Sequence, residues 1–201
     1  MIPVFLSGPH GSGKTTLINR LKALRPDCFI ENAFDIDFLN CFPNFQSLNH
    51  FERCLIRLYH RYFQFNYNLG QSTQNQEQTI LGSRSIYDSI AYIETYRKLE
   101  IISSDDFALL SSVYENISPL PFVIVLNPSV GTISYRLEKR RVSKEREKRD
   151  SAFAFEDTLD FLSIIHAEFE KVKSVPNVLY LTDNMDEDIN KIFHWIEKIN
   201  K

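Results

Sequence analysis

The chain has 201 residues, of which 43% are hydrophobic and 24% charged, with a formal net charge of −3. That length suits one domain spanning residues 1–201 with a core of its own, and the near balance of charge gives no global case for nucleic acid or membrane binding. No apolar run approaches the ~20 residues of a membrane span, and the N-terminus enters a strand at once, so no signal peptide is expected.

In chain order, Ile2-Pro3-Val4-Phe5-Leu6 reads as a short buried strand. Gly8-Pro9-His10-Gly11-Ser12-Gly13-Lys14-Thr15 follows and fits G-x-x-x-x-G-K-[ST], the phosphate-binding P-loop. From Thr16 to Leu24, apolar residues at 17, 18, 21 and 24 have helical spacing. The motif therefore lies between a strand and a helix, the context it requires. A triphosphate needs a concave array of backbone N–H groups, and Gly8, Gly11 and Gly13 allow the positive φ and close approach that such an array demands. The N–H groups at the helix start face the anion, and the helix dipole favours it. Lys14 can reach β- and γ-phosphate oxygens, and the Thr15 hydroxyl can hold Mg²⁺. The expected ATP site is thus Gly8, Pro9, His10, Gly11, Ser12, Gly13, Lys14, Thr15 and Thr16, with His10 a filler position rather than a base.

Cys28-Phe29-Ile30 reads as the second strand, ending at Glu31. Cys28, Cys41 and Cys54 are odd in number and not spaced as metal ligands; they read as reduced, buried thiols of a cytoplasmic protein. The irregular segment 34–45 carries Asp35 and Asp37. A long helix runs from about Ser47 to Leu69, with aromatics on more than one face; core packing explains them, and so does a pocket wall, a partner or a dimer face. Gln71 to Gln78 reads as a polar loop leading into the third strand, Thr79-Ile80-Leu81-Gly82, after which come Ser83, Arg84 and Ser85. Helices follow at Tyr87–Leu99 and, from an N-cap cluster at Ser103-Ser104-Asp105-Asp106, to about Glu115. Phe122-Val123-Ile124-Val125-Leu126 is a strand of the buried parallel type. Ser129 to Arg141 reads as a helix, Val142 to Ser151 as a charged segment, Phe155 to Val172 as a helix with Leu159 on its apolar face, Val178–Leu181 as the last strand and Asp186–Ile199 as the closing helix. Five strands alternating with helices predict a doubly wound α/β parallel sheet of the P-loop kinase type. Ligands sit at the carboxyl ends of the strands in such sheets. That places Gly8–Thr15, Glu31, Ser83–Arg84 and Asn127 on one rim, with Thr182-Asp183-Asn184 positioned to border an adenine.

No N-K-x-D guanine-reading motif occurs, and neither Gly82-Ser83-Arg84 nor Asn127-Pro128 supplies the strand-end acid usual in motor ATPases. The P-loop, Glu31, Arg84 and Phe122–Leu126 leading to Arg136-Leu137-Glu138-Lys139-Arg140-Arg141 resemble the thymidylate-kinase-like and deoxynucleoside-kinase group over most of the chain. Tyr87-Asp88-Ser89-Ile90-Ala91-Tyr92 is also similar to nicotinamide riboside kinase-like ATP-binding proteins. The resemblance implies ATP-dependent phosphoryl transfer to a nucleoside or nucleoside monophosphate, with Mg²⁺, and a lid over about 136–152 whose arginines close on the phosphates. It departs at Ser83, where the group commonly has Asp or Glu; Asp35, Asp37 or Asp88 would have to substitute.

The residue chemistry supports several roles. Glu31 can accept a proton from an acceptor hydroxyl or serve as an ordinary strand-end carboxylate. Arg84 can bind an acceptor or phosphate oxygen, or form a structural ion pair. Arg136 and Arg140 are i,i+4 and project from one helix face; they belong to a lid or to a solvated, salt-bridged helix. Gln64 on the aromatic helix can read a base edge. The rival class is a nucleotide-binding switch or regulatory ATPase without a small-molecule acceptor.

Overall fold

The molecule is described as a computed structural model covering residues 1–31, 44–74, 77–143, 151–182 and 185–201. Its strands are β1 (Val4–Ser7), β2 (Phe29–Glu31), β3 (Thr79–Ser83), β4 (Phe122–Leu126) and β5 (Val178–Leu181). They form one sheet in the order β2-β3-β1-β4-β5, and every pairing is parallel. The helices are α1 (Lys14–Leu24), α2 (His50–Gln74), α3 (Ile86–Lys98), α4 (Ser104–Tyr114), α5 (Val130–Val142), α6 (Leu159–Glu170) and α7 (Met185–Ile199).

The alternation of side chains along each strand divides the core in two. Val4 and Leu6 of β1, with Ile124 and Leu126 of β4, pack under α1 and α7 beside Leu17, Leu21 and Ile192. Phe5, Val123 and Val125 point the other way, into a cluster with Leu58 of α2, Tyr96 of α3, Leu110 of α4 and Phe161 of α6. Both faces are covered, which is why these strands are apolar without interruption. This is the doubly wound α/β architecture the sequence predicts. At Gly82 a Cβ would come within 2.4 Å of the Phe5 ring, so β3 has room at that point only for a glycine.

Three expectations need correction. First, α2 does not stop near Leu69 but runs to Gln74; Ser72 and Thr73 hydroxyls donate to the carbonyls of Leu69 and Gly70 within the last turn. The polar composition there marks a largely exposed helix end, with Ser72 alone of residues 70–74 buried, not a loop. Second, residues 155–172 are not one helix. A 3₁₀ turn spans Ser151–Asp157, and α6 begins after Thr158, whose side chain accepts from the Phe161 N–H; Leu159 is left exposed. Third, Cys28 is exposed, while Cys54 is buried as expected; burial pushes the Cys54 thiol up to about 12. Cys41 lies outside the described residues. No helix among the described residues is long and apolar enough to cross a membrane.

Candidate active site

The P-loop occupies the turn from β1 into α1. Gly8, Gly11 and Gly13 have φ of 138°, 80° and 105°, in a region that side chains other than glycine's rarely enter. A Cβ on Gly8 would come within 2.0 Å of the Leu126 carbonyl, and one on Gly11 within 2.8 Å of Leu137. The loop is therefore wedged between β4 and α5, and its glycines are required for packing as well as conformation. Thr15 and Thr16 open the helix with exposed side chains.

Lys14 is buried. Its ammonium donates to the carbonyls of Gly8 at 2.7 Å and Pro9 at 2.8 Å and to Ser12 Oγ at 3.3 Å. Burial lowers its pKa to about 7, with the positive charge of Arg84 acting in the same direction, Asp88 opposing, and Arg140 and Arg61 adding smaller repulsions. These charges therefore all lie near the loop.

Arg84 follows β3 in a left-handed conformation, φ 67°, and its N–H donates to the Leu6 carbonyl at 2.7 Å. Its guanidinium is 3.5 Å from Asp88 Oδ1, so the ion pair expected as the structural reading of Arg84 is present. Asp88 belongs to the capping box that starts α3. Its carboxylate accepts from Ser85 N–H at 2.8 Å and from the P-loop's Gly8 N–H at 3.3 Å. One buried carboxylate thus joins the loop, Arg84 and the start of α3. Of the acids considered as substitutes for the one absent at Ser83, Asp88 lies beside the loop; Asp35 and Asp37 lie outside the described residues.

Arg136 of α5 donates to the Ser12 carbonyl at 2.8 Å, and Arg140, one turn on, is exposed. The remainder of the expected lid beyond 143, with Lys144, Arg146, Lys148 and Arg149, lies outside the described residues up to 150. Glu31 ends β2, with its backbone in register with Leu81, on the same carboxyl rim as Gly8 and Arg84. Asn127 is on that rim too, but its amide donates to the His166 carbonyl at 2.9 Å and the Tyr180 hydroxyl at 2.8 Å, tying β4 to α6 and β5. Asp183 and Asn184 are outside the described residues, and Thr182 is exposed.

Three further groups lie around the site, of which Arg61 was not singled out from the sequence. His10 is no mere filler: it is buried, with Nδ1 2.8 Å from the Tyr92 hydroxyl and Nε2 3.1 Å from Asp157. Arg61 donates to Gln64 Oε1 at 2.8 Å and to the Ser83 carbonyl at 3.4 Å. Its spacing from Arg57 and Arg53, one turn and two turns back along α2, is the signal that could have found it. Gln64 is fully buried, and its amide nitrogen meets no partner among the described residues.

The sequence profile of the AAA_28 family, described as an AAA domain, matches residues 3–160. The chain belongs to this AAA domain family. No curated protein matches it. Among solved structures, this AAA domain is similar to a deoxyadenosine kinase from M. mycoides with products dCMP and dCDP bound, at a TM-score of 0.65 and 17% identity over 99% of each chain. It is also similar to the thymidylate kinase of Candida albicans, at a TM-score of 0.67 and 17% identity over 98% of this chain and 91% of that one. These likenesses show that the AAA domain here has the fold of P-loop kinases.

Proposed function

We propose that the protein transfers a phosphoryl group from ATP to a small acceptor, a nucleoside or nucleoside monophosphate. The observation that carries this reading is the convergence on one P-loop of Lys14, Arg84 and Arg136, delivered by α1, the end of β3 and α5. Phosphoryl transfer asks little of a protein beyond positioning and charge stabilisation, and these cations can supply both. The structural neighbours that act on nucleosides and nucleotides support the same class of reaction.

In this reading the loop amides of Gly8 to Thr16 hold the phosphates of ATP, and Lys14 exchanges its carbonyl partners for β- and γ-oxygens. Arg84 holds the acceptor or the transferred group. Arg136 and Arg140 approach from the lid side and exclude water. The exposed Thr15 hydroxyl is the protein's ligand for Mg²⁺. Bound there, Mg²⁺ would supply positive charge to offset that of the phosphates. Glu31, on the same rim, takes the proton from the acceptor hydroxyl, and the buried Gln64 amide reads the acceptor's base.

The test is a screen of nucleosides and nucleoside monophosphates with labelled ATP. Transfer to any member supports the kinase reading, and ATP turnover indifferent to every acceptor supports the switch or regulatory ATPase instead. With an acceptor in hand, Glu31→Gln should lower kcat by roughly 10²–10⁴-fold, the range for losing a general base, with ATP affinity little changed. A wild-type kcat would leave Glu31 a structural carboxylate. A cytoplasmic homodimer completes the proposal. Tyr59, Phe63 and Tyr67 form an exposed aromatic row on α2, and light scattering of the purified protein reads the oligomeric state.

A further inference from the structure

Helix α2 is longer than the sheet it lies on. Arg61 donates to the Ser83 carbonyl, at the end of β3, at 3.4 Å. One turn further on, Phe65 meets the ring of Phe5, the centroids 6.1 Å apart, and Phe5 is in register with Gly82, one residue back from that end. From Arg61 onward α2 therefore descends along the strands. The residues before it, from His50, stand beyond the strand ends and overhang the rim by about 16 Å at a rise of about 1.5 Å per residue. Ligands of a parallel sheet sit above this rim.

The overhang carries Arg53 and Arg57, and with Arg61 they lie four residues apart, on one flank of the helix. Arg53 is buried, and its Nε donates to the Phe45 carbonyl at 3.2 Å. Arg57 is half-buried and held differently. Its guanidinium carbon is 4.8 Å from the ring centre of Phe153 and 5.6 Å from that of Phe45, and no carboxylate among the described residues forms an ion pair with it. A guanidinium that lies on aromatic rings still has its N–H edge to offer. Burial and the charge of Arg53 hold His50 below its ordinary pKa, with Glu156 opposing and Arg57 adding to the repulsion. That acid is engaged elsewhere: the Glu156 carboxylate accepts from the Tyr96 hydroxyl of α3 at 2.5 Å.

The P-loop thus has cations on both sides. It leaves β1, which lies between β3 and β4. Arg136 and Arg140 come from α5, after β4. Arg84, Arg61 and Arg57 come from the β3 side. In the proposed reaction the α5 pair serves ATP, which leaves the β3-side set for a second anion. A nucleoside has no charge to give it. A phosphomonoester brings a dianion whose oxygens match the paired donors of a guanidinium.

We propose that Arg57 and Arg61 bind the phosphate of the acceptor, which is then a nucleoside monophosphate and not a nucleoside. The identity of the acceptor rests on the kinase reading; the phosphate site does not. Two measurements on the full chain keep them apart.

The first is titration of inorganic phosphate, by calorimetry, into protein whose P-loop is already filled with Mg²⁺ and a non-hydrolysable ATP analogue. Phosphate should still bind, and Arg57→Met should weaken it about 10- to 100-fold, the range for losing a charged hydrogen bond. The methionine keeps an apolar stem against the two rings, and an unchanged melting temperature checks that it folds. Arg57→Lys keeps the charge without the fork and should fall between the two. No phosphate bound by the filled protein, or equal binding by Arg57→Met, overturns the site whether or not any acceptor is known.

The second is kinetic. Labelled ATP is offered with matched pairs of a nucleoside and its monophosphate. The monophosphate should be favoured about tenfold or more in kcat/KM, and Arg57→Met should raise its KM about 10- to 100-fold while the ATP Kd stays within about twofold. Preference for the nucleoside, or equal weakening of ATP and acceptor, overturns the proposal and leaves the kinase reading standing. If no acceptor is phosphorylated at all, the kinase reading falls and takes the acceptor's identity with it, while the phosphate titration still decides the site.

Discussion

Lys14 is the residue on which the proposed chemistry depends, and its setting has a pH consequence. Its pKa falls from 10.5 to about 7 on folding, so burial penalises the charged form. Below about pH 7 both folded and unfolded chains carry the proton and the penalty is complete. As pH rises from 7 toward 10.5 the folded chain holds fewer protons than the unfolded one, and stability should increase. Lys14→Met should abolish ATP turnover with its circular dichroism unchanged, and its denaturation midpoint should lose that rise. A variant that still turns over ATP would remove the P-loop from the mechanism. The P-loop residues were legible because the motif is contiguous: a strand, three positive-φ glycines and a helix start lie within one short stretch. His10 and Tyr92 were not, because they are 82 positions apart and neither carries a local signal. The burial of an imidazole is decided by what folds over it.

At the scale of elements, the loop is a wedge. Gly8 abuts a backbone carbonyl of β4, whereas Gly11 abuts the end of a flexible leucine on α5. Both sites also force a side chain into left-handed backbone, which costs about 1–2 kcal/mol. Gly8→Ala should therefore destabilise the protein by more than Gly11→Ala, since a leucine can turn aside and a strand cannot. Equal losses in a urea titration would mean that conformation alone, not the wedge, requires these glycines. The charged segment beyond α5 gives a second test. Several phosphates bring negative charge to which arginines are suited. Trypsin cleavage between Arg140 and Arg149 should slow with a non-hydrolysable ATP analogue and less with AMP; equal rates would leave a solvated charged helix. The strands were legible because each is a bounded apolar run. The end of α2 was not, because Gly70 and the glutamines after it resemble a break. A helix already anchored by Leu58 and Phe65 continues through residues that would not start one.

At the scale of the whole molecule, two-sided burial of the sheet was readable from strand composition, and the rim that carries the candidate site followed from parallel winding. The partition of the helices between the faces was not readable, because an apolar stripe does not say which face will receive it. This covered sheet also bears on how the protein has been selected. The core, with Leu6, Tyr96 and Phe161 essentially inaccessible to solvent, supplies stability, and at Arg84 some of it is forfeited: an arginine stands in backbone suited to glycine, φ 67°. Such strain persists only where the surroundings over-determine it. Arg84→Gly should relieve about 1–2 kcal/mol of backbone strain and lose its ion pair with Asp88, whose buried carboxylate is still held by the Ser85 and Gly8 N–H groups, leaving the melting temperature unchanged or higher while transfer to an acceptor collapses. A clear loss of stability would show that the arginine is kept for the fold. The expected result would make this position a record of a trade in which catalysis outranked robustness, and a warning to anyone stabilising the protein by consensus. The residue most easily improved for heat resistance would be the one the proposed phosphoryl transfer could least do without.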